Sequence, residues 1–366
     1  LFVSSSPQVL DQLSPEPYDS FTAFSFEVAR IFGGLIDSRV RGLRNAGSGI
    51  QAPGLLGSNS RDPVLIADTT PGGVARPKAP GDYSNGIGPR PSGWSVWASG
   101  IGSGLWLDQS SGNLGYSGWT AGGAAGVDLR LKKGFVVGVL AGGTRSNIDF
   151  DGVSGDGDME SVTTGVYAAW VGKRLFANTA FTYTKNWVEA DRDITSMGTT
   201  ATGKTEGDQY AVHATLGMGF RLKRLSIEAS GGVDWITLKQ KGFTETGANA
   251  LNLTVDSRSD DSLRLRAGIR LATAFRVRPG FVIAPSARVG YAREILDNTR
   301  PITASLAGVG GSFTVTGDEG GRDFVTYGGG IQAKWSQGLT LFFDYAGEWA
   351  TNRTASTFSG GVRVSW

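Results

Sequence analysis

Gly198–Thr205 reads GTTATGKT, the full G-x-x-x-x-G-K-T pattern of a phosphate-binding loop. That chemistry needs a buried strand before the loop and a helix after it, so that backbone amides point at phosphate. Here the pattern lies in a polar loop between two alternating segments, so it is a chance match in a Gly/Thr-rich stretch. His213 is the one histidine of the chain. It falls on the inward parity of its segment, and no G-x-S-x-G elbow accompanies it, so it is expected to hydrogen-bond rather than to serve a triad. Asp149, Asp151, Asp156, Asp158 and Glu160 crowd one stretch and could bind calcium weakly. Their spacing does not match an EF-hand loop, and a solvated acidic loop is the expectation. With no cysteine in 366 residues there is neither a disulfide nor a thiolate metal site. These residues imply no catalytic centre, no metal and no cofactor, and hence no enzyme.

The elements that would position these residues are more informative. Net charge is +2, too balanced to point to nucleic acid. Glycine accounts for 56 residues, about twice the usual share, which suits strands with close backbone approaches. No apolar run is long enough for a transmembrane helix, which leaves a membrane barrel open because its strands alternate. The opening residues LFVSSSPQ carry neither a basic nor an apolar leader region, so the chain is expected to start as mature protein or as a piece of a longer precursor.

Residues 1–18 read as a polar, proline-bearing tail. Asp19 to Arg44 then reads as a helix about 37 Å long. Phe21, Phe24, Val28, Ile31, Leu35, Ile36, Val40 and Leu43 recur at three- and four-residue steps. Asp19 or Ser20 can cap its first amides. Glu27, Arg30, Asp37, Arg39, Arg41 and Arg44 keep it out of lipid, and Gly33 and Gly34 cost it about 1 kcal/mol each. Such a helix needs packing to hold it. Residues 45–92 form a Gly/Pro/Ser-rich linker with weak periodicity.

From Gly93 to Trp366 the period changes to two, in twelve runs. The links after even-numbered runs are very short, and those after odd-numbered runs, around Asp108–Gly115, Asp151–Asp158, Asp191–Glu206, Lys239–Asp261, Glu294–Arg322 and Ala350–Ser356, are longer and polar. Short turns on one rim, long loops on the other and an even strand count are habits of outer-membrane barrels. On the parity that turns apolar residues outward, all ten tryptophans but Trp97 also point outward, as interfacial girdles do. A soluble barrel or sandwich would leave that outward apolar face without a second layer. The inward parity carries Glu228, Asp234, Arg264, Arg266, Arg270, Arg288, Asp344, Glu348 and Arg363. A twelve-stranded lumen is too wide for its own side chains, and one helix about 10–12 Å across would fit it. The expected fold is therefore an all-β membrane protein: a 12-stranded antiparallel transmembrane β-barrel with one N-terminal α-helix in the lumen. The alternative is a water-filled channel with the helix packed elsewhere. Pro285 within the ninth run removes a ladder donor and signals a bulge.

VLDQLSPEPYDSF at Val9–Phe21, leading into a helix with D-x-R at Asp37–Arg39, resembles the passenger–barrel junction of monomeric autotransporters, the type V secretion family. GWSVWASGIGS at Gly93–Ser103 resembles that family's first strand. The stretch Gly242–Phe275 and the terminal TFSGGVRVSW resemble it as well. The resemblance implies an outer-membrane translocator of a Gram-negative bacterium that exports its own N-terminal passenger, absent here, with 1–18 a remnant of the junction. Phe24, Glu27, Val28, Arg30, Ile31, Asp37 and Arg39 would then be pore-helix residues. It also implies that Phe358, Val362, Val364 and Trp366 are read by the barrel-assembly machinery, that periplasmic chaperones and outer-membrane lipid are partners, and that the protein is a monomer. Some members cleave the passenger at paired asparagines inside the pore, and this helix has no such pair. The competing function is a porin-like channel with an N-terminal plug.

Overall fold

The protein's structure, a computed structural model, describes residues 11–47 and 93–366, apart from 110–113, 173, 223–224, 297–298, 309, 318–319 and 336–337. From residue 48 onward the predicted linker lies outside the described residues, as do residues 1–10 of the tail. A 3₁₀ turn at Glu16–Tyr18 runs into helix α1, Asp19–Gly47. The expected cap at Asp19 or Ser20 is not formed. The Asp19 amide already bonds back to the carbonyls of Glu16 and Pro17, Ser20 Oγ donates to Pro17 O, and the Asp19 carboxylate turns to Arg300, 3.3 Å away.

The strands, in chain order, are β1 Gly93–Leu107, β2 Gly115–Arg130, β3 Phe135–Asp151, β4 Gly155–Val171, β5 Leu175–Ile194, β6 Thr199–Leu222, β7 Leu225–Gln240, β8 Phe243–Thr244, β9 Leu253–Val255, β10 Arg258–Ala272, β11 Phe275–Arg278, β12 Phe281–Glu294, β13 Arg300–Leu306, β14 Ser312–Gly317, β15 Asp323–Trp335, β16 Leu339–Trp349 and β17 Arg353–Ser365. Strands β1–β7, β10, β12 and β15–β17 form the closed barrel. Each pairs antiparallel with its neighbours, β10 pairs with β12, and β1 pairs with β17 from Ser95↔Ser365 to Leu107↔Arg353. Closure leaves no row of unpaired amides facing hydrocarbon, where each would be costly. The Pro285 irregularity appears as a break: β10 pairing stops at Ala272↔Ser286 and resumes in β11 at Phe275↔Ile283. Outward positions such as Val139, Val166, Leu216 and Ile269 are exposed, as are Trp94, Trp119, Trp235 and Trp349, whereas Trp97 is buried. Trp106 and Trp119 meet edge-on at 5.4 Å near the long-loop rim, and Phe281 and Trp335 lie 4.6 Å apart at the short-turn rim.

Several stretches expected as polar loops are ordered sheet. Residues 191–206 continue β5 and β6 to a tight turn, with pairing out to Ile194↔Thr199. The reason is a change of sign in the alternation. Beyond the lipid, the outward positions Glu189, Asp191 and Asp193 are polar, while the inward Val188, Ala190 and Ile194 are buried. The P-loop match therefore begins at Gly198 in the turn and runs from Thr199 onward inside β6, its backbone engaged in the ladder. The longer connections after β7 and β12 supply a second sheet, ordered β14-β13-β9-β8. It folds over the first turns of α1, with Tyr18 edge-on to Phe243 at 4.8 Å.

Helix α1 lies inside the barrel. Phe21, Phe24, Phe32, Leu35, Ile36, Val40 and Leu43 join Trp97, Ile101, Tyr116, Leu140, Ile148, Met159 and Tyr167 in one buried cluster. Each such side chain, fully buried, contributes about 1.5–3 kcal/mol. The helix glycines are explained by close approach: a Cβ on Gly33 would lie 2.6 Å from the His213 ring, whereas Gly34 has open space beside it. Two opposite outcomes are expected in thermal unfolding of the detergent-solubilised barrel. Gly33→Ala should lower stability by about 1–3 kcal/mol, and Gly34→Ala should raise it by about 0.5–1 kcal/mol.

Candidate functional site

Two faces of α1 meet two different walls. The apolar face rests on β1–β5. The other carries Glu27, Arg30, Gly34, Asp37, Arg41 and Arg44, alternating three- and four-residue steps that hold one stripe along the helix. This stripe faces the charged wall of β7, β10, β12, β16 and β17, across a cavity of about 270 Å³.

Ion pairs tie the stripe to that wall. Glu27 receives Arg353 Nη2 at 3.0 Å, and Arg353 also contacts Glu348. Arg264 lies between Glu294 at 3.2 Å and Glu348 at 2.9 Å. Arg30 donates to Ser262 at 3.1 Å and approaches Glu294 at 3.9 Å. Asp37 accepts from Asn178 at 3.1 Å, Thr215 at 3.2 Å and Arg266 at 3.2 Å. Arg266 bridges on to Asp234 at 2.6 Å, and Asp234 holds His213 Nδ1 at 2.9 Å. Glu228 joins Arg44 at 3.0 Å and Arg270 at 3.2 Å, and the Arg44 guanidinium sits 3.4 Å over the Phe176 ring. Arg288 forks onto Asp344 at 2.8 and 2.6 Å. Arg363 lies over Phe342 and against the Cα of Gly42, where a Cβ would collide with its guanidinium. Phe24, Val28 and Ile31 are buried, Phe24 6.2 Å from Tyr116. All nine inward charges read from the sequence thus line the lumen: six of them belong to this network of pairs, Arg288 and Asp344 form a separate fork, and Arg363 lies over Phe342.

One pair lies on the opposite, apolar side. Arg39 forks onto Asp128 of β2 at 2.5 and 2.6 Å. Asp128 also accepts Tyr167 Oη at 2.8 Å, and Tyr167 accepts Trp97 Nε1 at 3.0 Å. Asp128, Tyr167, Glu294 and Arg353 were not singled out in the sequence. Asp128 shares its parity with small residues of β2, while Glu294 and Arg353 fall in stretches expected as loops. The parity exception Trp97 was the visible trace of this network.

The two ends of the lumen differ. At the long-loop rim, Glu16 accepts the Leu114 amide at 2.6 Å, and burial raises its carboxyl above the usual range. Burial beside Glu245 likewise raises the Tyr18 hydroxyl, which donates to that carboxylate at 2.6 Å. At the short-turn rim, Arg130 Nη2 donates to Leu43 O at 2.9 Å. Phe358, Val362, Val364 and Trp366 are exposed on the outer face of β17. The Trp366 amide donates to Trp94 O at 3.1 Å.

The autotransporter beta-domain family model matches residues 96–346. The chain belongs to the autotransporter family. It is a translocator domain, an outer-membrane barrel of a Gram-negative bacterium. Its fold is similar to the translocator domain of autotransporter NalP from Neisseria meningitidis, with 19% identity, a TM-score of 0.59, and coverage of 74% of this chain and 88% of that one. The beta domain of the Bordetella autotransporter BrkA gives 19% identity, a TM-score of 0.57, and coverage of 75% and 99%. The transport unit of AIDA-I from Escherichia coli gives 14%, 0.53, and 74% and 90%. A comparison with curated proteins gives no match.

Removing one partner of a buried pair strands the other charge, at about 3–5 kcal/mol. Asp128→Ala should accordingly lower the melting temperature sharply, and Arg39→Met with Asp128→Leu should recover most of the loss.

Proposed function

We propose that this translocator exports a passenger joined ahead of its N-terminus and keeps α1 in the pore once the passenger is outside. The observation that carries the reading is the direction of the helix. Its Asp19 end lies among the long connections, by Arg300 and Arg258, and its Arg44 end lies by the short turns, near Glu228. In outer-membrane barrels short turns face the periplasm and long loops face outward. The Asp19 end of the helix then lies on the outer side, and β1 starts on the inner rim. Residues 1–18 are the remnant of the passenger junction. The barrel works without a catalytic centre, as a monomer in outer-membrane lipid. Periplasmic chaperones deliver it, and the assembly machinery reads the outer face of β17.

A reporter domain fused ahead of Leu1, behind a secretory signal, tests export. It should be degraded by protease added to intact cells and should lose surface exposure when the barrel is truncated. A reporter retained and protected in the periplasm would instead make the protein a plugged channel. Trp366→Ser should reduce assembled barrel in the outer membrane several-fold, as judged by the heat-modifiable band. Unchanged levels would contradict the recognition of β17.

A further inference from the structure

We propose that the helix-filled lumen selects anions, through three cationic side chains at its short-turn end that the pairing network leaves uncompensated. The charges around the last turns of α1 mostly cancel. Arg39 is matched by Asp128, and Arg288 by Asp344. Arg44 and Arg270 share the single carboxylate of Glu228. Arg130 is spent partly on the helix carbonyl of Leu43. Among the described residues, Arg41, Lys334 and Arg363 have no carboxylate within ion-pair distance and no hydrogen-bond partner.

Their placement makes the surplus local. Arg41 lines the cavity between helix and wall, together with Arg270 and Arg288. Lys334 and Arg363 both oppose Thr340, in the registers Lys334↔Thr340 and Thr340↔Arg363, so they sit two strands apart, about 10 Å between backbones. Arg363 is buried against Gly42, one residue from Arg41. Cations brought together in a narrow, low-dielectric passage raise the local concentration of anions and repel cations, as charged rings do in selective pores. The long-loop half shows no such excess: Glu27, Glu294 and Glu348 are interleaved with Arg30, Arg264 and Arg353. Selectivity would therefore be set at the inner end, for small inorganic anions such as chloride or phosphate.

The test is the reversal potential of the full chain in a planar bilayer under a KCl gradient. The expected result is a chloride-to-potassium permeability ratio several-fold above one, falling towards one in an Arg41→Gln, Lys334→Gln, Arg363→Gln triple variant. If that variant does not assemble, Arg41→Gln alone, which breaks no ion pair, should lower the ratio. Arg145→Gln, on the outer face, should leave it unchanged. A cation-selective, unselective or non-conducting parent chain would overturn the proposal, and so would a ratio insensitive to Arg41. This outcome is independent of passenger export, since a pore that exports its passenger can have either selectivity.

Discussion

A closed sheet of twelve strands encloses more space than its own inward side chains can fill, and the rest of this molecule follows from that surplus. Something must occupy the interior without being lipid-soluble, because one side of it meets water and charge. Helix α1 meets the requirement by being two-sided. Its apolar side completes a hydrophobic core with β1–β5, and its polar side faces the charged wall across a cavity. A barrel of fewer strands would expel the helix. One of many more would leave it loose.

The buried charges act as a register for the helix rather than as its main source of stability. Taking ions out of water costs about as much as pairing them returns, so the apolar contacts carry most of the energy. What the pairs add is position. Glu27, Asp37, Arg39 and Arg44 meet Arg353, Arg266, Asp128 and Glu228. These partners lie on four strands at different heights and on both sides of the helix. A shift of one turn would leave several charges buried and unmatched. The two close approaches, Gly33 to His213 and Gly42 to Arg363, add a steric key to the same seat.

Much of this was legible in the sequence wherever lipid imposes a constant rule. Runs such as Leu263–Phe275 and Phe358–Trp366 keep their apolar residues on one parity for the full membrane thickness, so strand number, order and inward charges could be read directly. Beyond the lipid the rule reverses. In residues 189–194 the buried side is Ala190, Arg192 and Ile194 while acids face water, and a fixed outward apolar face no longer finds a strand. The small sheet of β8, β9, β13 and β14 escaped for a related reason: its strands are short and interrupted by turns. In the lumen, the residues that stood out were charged ones repeating along a strand. Asp128, a single acid amid glycine and alanine, depends for its meaning on Arg39, which is distant in sequence. Gly33 and Gly42 depend on what approaches them from β6 and β17, which period alone does not record.

Strand β17 touches α1 near both ends, through Arg353 on Glu27 and Arg363 on Gly42, and it also closes the ring against β1. It is the last of the described strands in chain order, so a ribosome makes it after the other eleven barrel strands. Until those residues exist, the helix has an incomplete seat and the barrel an open seam. The finished pore and the seated helix therefore become available together, and both depend on the residues of β17. A chain cut short by a premature stop loses both at once, so the order of synthesis itself serves as a check on completeness.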